Sequence, residues 1–119
     1  MSVNEIAARL VELCRQGKFE TVQRELFAQD AVSVEPYSTP AFEKETNGLD
    51  AIIEKGNRWD EMVLETHNLT VSEPLVAGNC FACSLRMDLT MKEQGRMEIT
   101  ELCVYQVKDG RIISEQFFM

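Results

Sequence analysis

From Phe81 to Met91 the chain alternates without a break. Phe81, Cys83, Leu85, Met87, Leu89 and Met91 fall on one side; Ala82, Ser84, Arg86, Asp88 and Thr90 fall on the other. A period of two this sustained belongs to a β-strand with one face buried, since successive strand side chains point to opposite faces. A strand of this length needs neighbours on both edges, and the flanking sequence supplies them. His67, Leu69 and Val71 alternate with Asn68, Thr70 and Ser72, and Ala77-Gly-Asn79 turns the chain into the long strand. Lys92-Glu-Gln-Gly95 turns it out again into a strand over Met97–Val107, and Lys108-Asp-Gly110 leads to a last strand over Ile112–Met119. The second half therefore reads as an antiparallel meander.

The first half reads differently. Val3, Ile6, Leu10 and Leu13 recur at steps of three and four, which makes one apolar helix face, and Gly17 is placed to stop that helix. A second helix carries Phe19, Val22, Leu26 and Phe27 on one side, and Ala31-Val-Ser-Val-Glu35 reads as a short strand. Pro36 and Pro40 open a loop through Tyr37 and Phe42. Asn47 is then positioned to cap a third helix whose apolar face is Leu49, Ile52, Ile53, Gly56, Trp59 and Val63. No repeat, linker or low-complexity run interrupts the 119 residues, so residues 1–119 are expected to form a single domain.

Composition narrows the partners. Twenty acids against 12 bases give a formal charge of −8, which opposes a nucleic-acid or anionic-membrane role because phosphate contacts need clustered Lys and Arg. No apolar stretch approaches the roughly 20 residues of a membrane span. The first residues, with Glu5, Arg9 and Glu12, lack the basic start and apolar block of a signal peptide, so cytoplasmic residence is expected. Cys80 and Cys83 form a lone C-x-x-C inside a strand, where residues three apart point to opposite faces. One tetrahedral metal could not readily hold both, and His67 is the only histidine, so no metal site is expected and Cys14, Cys80, Cys83 and Cys103 read as reduced thiols.

The last hairpin decides which residues share a face. A two-residue Asp109-Gly110 loop would pair Lys108 with Arg111. A three-residue loop with Gly110 in the left-handed conformation, which a glycine as third loop residue favours, pairs Val107 with Arg111, Tyr105 with Ile113, Cys103 with Glu115, and Glu101 with Phe117. Glu101, Cys103, Tyr105, Glu115, Phe117 and Met119 then line one face, and Leu102, Val104, Ser114, Gln116 and Phe118 the other. Both faces carry apolar residues. Helices can cover one, which leaves the other for a partner copy.

Helix, helix, short strand, helix and long meander is an order that resembles the NTF2-like superfamily in its SnoaL-like, ketosteroid-isomerase-like branch. Three motifs carry the resemblance: Gly17-Lys-Phe-Glu-Thr with Leu26-Phe-Ala-Gln-Asp-Ala31, Asn47-Gly-Leu-Asp-Ala-Ile52, and Val104-Tyr-Gln-Val-Lys-Asp-Gly-Arg-Ile-Ile-Ser-Glu115. Together they cover nearly the whole chain. The resemblance implies an α+β, NTF2-like cone, with three N-terminal helices packed in a curved, mainly antiparallel sheet. It also implies a pocket inside the cone and a homodimer formed through the outer sheet face. Ketosteroid isomerases work with an Asp base, a Tyr and a second Asp that its apolar site keeps protonated. The base position resembles Glu35 before Pro36, whereas the Tyr position falls on Leu10 and the protonated Asp on Cys103, so that set is incomplete here.

The catalytic candidates are therefore Glu35, Glu101 and Glu115. The expected register makes Glu101 and Glu115 diagonal neighbours, about 7–8 Å apart between α-carbons. In an apolar cone such carboxyls rise toward neutrality and become usable as general acid or base. The candidate ligand-binding residues are Trp59, His67, Cys103, Tyr105 and Phe117. Three readings stay open. The first is a module binding a small, mostly apolar or amphipathic ligand. The second is a cofactor-free isomerase, cyclase or dehydratase using the glutamates. The third is a protein-interaction domain, for which Trp59, Phe117 and methionines would fill the pocket.

Overall fold

Ser2 and Gly17 set the limits of the first helix. A computed structural model describes residues 1–119. In it, helix α1 spans Val3–Arg15; the Ser2 hydroxyl accepts from the Glu5 backbone N–H while the Glu5 carboxylate accepts from that of Ser2, a reciprocal capping box. Gly17 has φ 73° and its N–H bonds to Cys14, the left-handed stop expected after a helix C-cap. Helix α2 (Phe19–Leu26) runs straight into strand β1 (Phe27–Val34), so Phe27 opens a strand instead of closing a helix. After a loop come β2 (Glu45–Asn47), α3 (Leu49–Met62), β3 (Val63–Val71), β4 (Leu75–Ala77), β5 (Cys80–Met91), β6 (Gly95–Lys108) and β7 (Arg111–Phe118).

The architecture is α+β, with three helices against one curved mixed sheet. The sheet order is β2-β1-β7-β6-β5-β3, with β4 added on β5; every pairing is antiparallel except β1 with β7. Only α1 and α2 are N-terminal, since α3 follows two strands. Asn47 does not cap α3: it ends β2, and Gly48 at φ 94° takes the cap position with no side-chain bond. A positive φ there favours glycine over any capping side chain. Helix α1 packs on β3, β4 and β5, and α3 on β1, β2 and β3. Between helices and sheet lies one apolar cluster that includes Ile6, Leu10, Leu26, Ile52, Phe81, Leu89 and Ile112. No helix is long and apolar enough to cross a membrane.

Strand β5 behaves as its pattern demands: Phe81, Cys83, Leu85, Met87, Leu89 and Met91 are all buried. Its register with β6 is unbroken from Cys80↔Gln106 to Met91↔Gly95. The β6–β7 hairpin departs from expectation. Asp109 and Gly110 both take positive φ, 52° and 73°, as a two-residue Asp-Gly loop of the primed type requires. Lys108 therefore pairs with Arg111 and Val107 with Ile112. An irregularity then absorbs Ile113, after which Gln106 pairs with Ser114, Tyr105 with Glu115 and Cys103 with Phe117. The loop inserts one residue fewer than expected, and the bulge shifts the register again in the same direction. The combined slip is two residues, which preserves the faces.

Candidate functional site

Two-residue spacing on β1 and helical spacing on α3 aim a set of polar side chains at one place. Ala31, Ser33 and Glu35 alternate along β1 and just past its end, and the parallel register sets Ser33 beside Glu115 of β7. On α3, Lys55 lies three residues after Ile52 and four before Trp59, inside the apolar stripe. The result is a chain of contacts within the cone. The Lys55 ammonium donates to Ser33 Oγ at 2.6 Å and lies 3.2 Å from Glu35 Oε1. Ser33 Oγ donates to Glu115 Oε2 at 2.7 Å. The direction is fixed chemically: an ammonium only donates, so the single hydroxyl proton of Ser33 must go to the carboxyl. Ser33, Lys55 and Glu115 are buried, and the Lys55 ammonium also stands 5.8 Å above the Phe117 ring centre.

Electrostatics separates the three glutamates. Glu115 is the most deeply buried, and loss of water pushes its carboxyl up against the opposing pull of Ser33 and Lys55. Glu101 sits on β6 with no hydrogen bond holding it, and burial, then the charges of Glu35 and Glu115, raise it from 4.5 to about 7, Lys55 opposing. Glu35 is the ion-paired member, its side chain 24% exposed. Glu101 and Glu115 are not the diagonal neighbours expected, because Glu115 stands opposite Tyr105. They share a face at greater separation, and their mutual repulsion is still felt.

The other candidates divide. Phe117 and Trp59 are half-buried against the core, with Met62, Met97 and Ile99, and form the partly open inner wall. Trp59 also meets Phe42 of the β1–β2 loop at 6.4 Å between ring centres. Cys103 and Tyr105 lie deeper, 2% and 5% exposed, and Tyr105 stacks on Phe81 at 4.9 Å. They are floor, not wall. His67 is misplaced by the sequence reading. Two irregularities in the β3–β5 pairing, one between Thr66 and Asn68, break the alternation. The His67 ring bonds Thr90 on the outer face at 2.6 Å and faces Glu65 at 3.7 Å. Met119 lies beyond β7 and is 67% exposed. Hollows of about 390 and 290 Å³ lie away from Glu101 and the Lys55 network, the larger beside Arg15 and Glu73, the smaller beside Lys92 and the Met62 edge of the wall.

Lys55 and Ser33 are the site residues that the sequence reading passed over. Their signals were present: Lys55 keeps the i+3 and i+4 spacing of the buried α3 stripe, and Ser33 keeps the β1 alternation between Ala31 and Glu35.

The model of the SnoaL-like domain matches residues 1–119. The chain belongs to the SnoaL-like family. The resemblance to NTF2-like cones is thus a membership, and it covers the whole described chain. Among solved structures, a proposed SnoaL-like polyketide cyclase from Mesorhizobium loti is 32% identical, with 100% of both chains covered and a TM-score of 0.93. An NTF2-like protein of unknown function from Burkholderia pseudomallei aligns at TM-score 0.78 and 15% identity over 100% of this chain and 92% of that one. IdmH from Streptomyces antibioticus, described as a proposed polyketide cyclase, aligns at TM-score 0.73 and 21% identity, covering 99% and 91%. The last two show the fold alone. No curated protein matches the sequence. In this SnoaL-like domain the Leu10 and Cys103 positions are both buried core, so neither supplies the oxygen donor that ketosteroid isomerases place there.

Proposed function

We propose that the inner wall is a cofactor-free acid–base site acting on a small, mostly apolar carbonyl substrate, in an isomerisation, cyclisation or dehydration. The observation that carries this reading is Glu101: a carboxyl on a half-apolar wall, without a hydrogen-bonded partner, poised at about 7. A group in that range exchanges protons in both directions at neutral pH, which is what general acid–base catalysis needs. Around it Lys55, Glu35, Ser33 and Glu115 satisfy one another. Buried charges are costly to hold, and clusters of them with displaced titration concentrate at functional sites. In this reading Glu101 moves the proton, Lys55 holds Glu35 in place and offsets developing negative charge, and Ile99, Met97, Phe117 and Trp59 receive the apolar body. The likeness to the Mesorhizobium loti protein, described as a proposed SnoaL-like polyketide cyclase, agrees with carbonyl chemistry.

A binding module without chemistry is the second reading. It is favoured by the same half-buried apolar wall, which needs no proton transfer to hold an amphipathic ligand. Deuterium exchange separates the two. A panel of small enolisable ketones in D₂O, followed by NMR, is expected to show enzyme-dependent exchange next to the carbonyl. Glu101→Gln is expected to slow it about 10²–10⁴-fold with the fold retained. Binding without exchange, or exchange indifferent to Glu101→Gln, sinks the catalytic reading. We further propose that two copies associate through the outer sheet face, where Leu75, Leu102 and Phe118 are exposed.

A further inference from the structure

Three thiols meet beneath the inner wall, and the proposed chemistry uses none of them. Cys83 of β5 and Cys103 of β6 stand directly opposite each other. They are 4% and 2% exposed, and Cys14 of α1, also buried, adds a third thiol near Cys83. All are reduced. Directly opposed residues of an antiparallel pair have α-carbons about 4.5 or 5.5 Å apart, according to the type of pair. Both values fall inside the range of roughly 4.4–6.8 Å that a disulfide spans. The register therefore brings the two α-carbons within disulfide reach, and closure needs only a small approach of the two β-carbons. Cys80 is excluded from the pair, since it is opposite Gln106 and three residues from Cys83, on the other face. Cys14 comes from a helix and shares no such register.

We propose that Cys83 and Cys103 are an oxidation site that closes an intramolecular disulfide across the floor of the cone. The two thiols differ in readiness. The hydrogen bond from Cys103 and the charge of Arg15 pull Cys83 below the ordinary thiol range, against its burial. The same hydrogen bond, with burial, pushes Cys103 up. Cys83 is thus the more readily ionised, attacking thiol and Cys103 the resolving thiol. With a peroxide as oxidant, the Cys83 thiolate attacks one peroxide oxygen. The O–O bond breaks, leaving a sulfenic acid and, after protonation, one water. The Cys103 sulfur then attacks the sulfenic sulfur, the S–S bond forms, and the hydroxyl leaves as the second water with the Cys103 proton. Two thiols lose two electrons and two protons, and one peroxide becomes two waters. The bond lies beside Phe117, opposite Cys103, and two residues along β6 from Glu101.

The test is thiol counting and peptide mapping of the native protein after hydrogen peroxide. The expected result is loss of two of the four free thiols, a mass lower by two hydrogens, a linked Cys83–Cys103 peptide, and full reversal by dithiothreitol. Cys14→Ser and Cys80→Ser are expected to leave the linkage unchanged, which keeps the test independent of whether Cys83 or Cys103 variants fold. Four thiols that persist after peroxide, a sulfinic Cys83 without the linkage, or a Cys14–Cys83 peptide would each overturn the proposal.

Discussion

The two faces of the sheet use the same residue types to opposite ends. On the outer face Arg96 pairs with Asp88 at 2.9 Å and Arg86 with Glu98 at 2.7 Å, and each arginine side chain is 60% exposed or more. There Arg96 holds the Asp88 carboxyl below its ordinary value. On the inner face Lys55, Glu35 and Glu115 make contacts of similar length with little or no water. There burial wins over the partners, and Glu101 and Glu115 rise. Contact length does not separate a solvated ladder from an enclosed network. Access to water does, because an exposed pair adds about 0–1 kcal/mol whereas a buried charge left alone loses its hydration.

The largest expected break in this comparison comes from Lys55. Lys55→Ala removes the one cation of the inner network and leaves Glu35 and Glu115 without it. The expected loss is about 3–5 kcal/mol, read as a fall in the urea midpoint. Arg86→Ala on the outer face is expected to change stability by less than about 1 kcal/mol. Equal effects of the two substitutions would mean that the inner network is as wet as the outer ladder.

Lys55 also shows where sequence reading stops. Strands β5 and β6 and the places where the chain turns between them and into β7 were legible, because period two and Asp-Gly are local signals. The faces of β6 and β7 were legible too, although the length of the last loop was not: a bulge at Ile113 restored the parity that the shorter loop had broken. His67 failed for the mirror-image reason, since a single irregularity beside it left the parity reversed. Bulges depend on how two strands fit, and one strand's sequence does not contain that fit. The inward placement of Glu101 and Glu115 was legible because an acid on an apolar strand face stands out. Lys55 and Ser33 were missed because a lysine on a helix reads as solvated and a serine on a strand as neutral. The parallel pairing of β1 with β7, between segments far apart in the chain, encloses Ser33, and the packing of α3 on β1 encloses Lys55.

An effect of at most about 3 kcal/mol follows from titration of Glu101. Its folded value lies above its unfolded one, so the folded state binds the extra proton. That stabilisation is present below about 4.5 and fades as pH rises through about 7. Glu115 has the same sign. Asp88 has the opposite sign, because its contribution is present above the ordinary carboxylate value and is lost as pH falls. Stability measured by denaturation from pH 4.5 to 8 should therefore decline toward neutrality, and Glu101→Gln should flatten much of that decline. A flat profile in the parent protein would place Glu101 in water.

The smallest stability effect is expected on the outer face, where it carries the most information about assembly. Leu102 is 44% exposed and pairs with Phe118, itself 48% exposed, across β6 and β7. Leu102→Glu removes no buried contact within one chain, so the monomer should change by less than about 0.5 kcal/mol. If two copies meet on this face, however, the new carboxylate enters the centre of the contact and faces its own symmetry mate, since a two-fold interface sets a patch against itself. Sedimentation should then show a dimer for the parent chain and a monomer for Leu102→Glu, with the titration of Glu101 unaltered. A dimer that survives the substitution would place the interface elsewhere. A change at Glu101 would show that the two faces are coupled through β6, and the separation between solvated ladder and enclosed site would no longer hold.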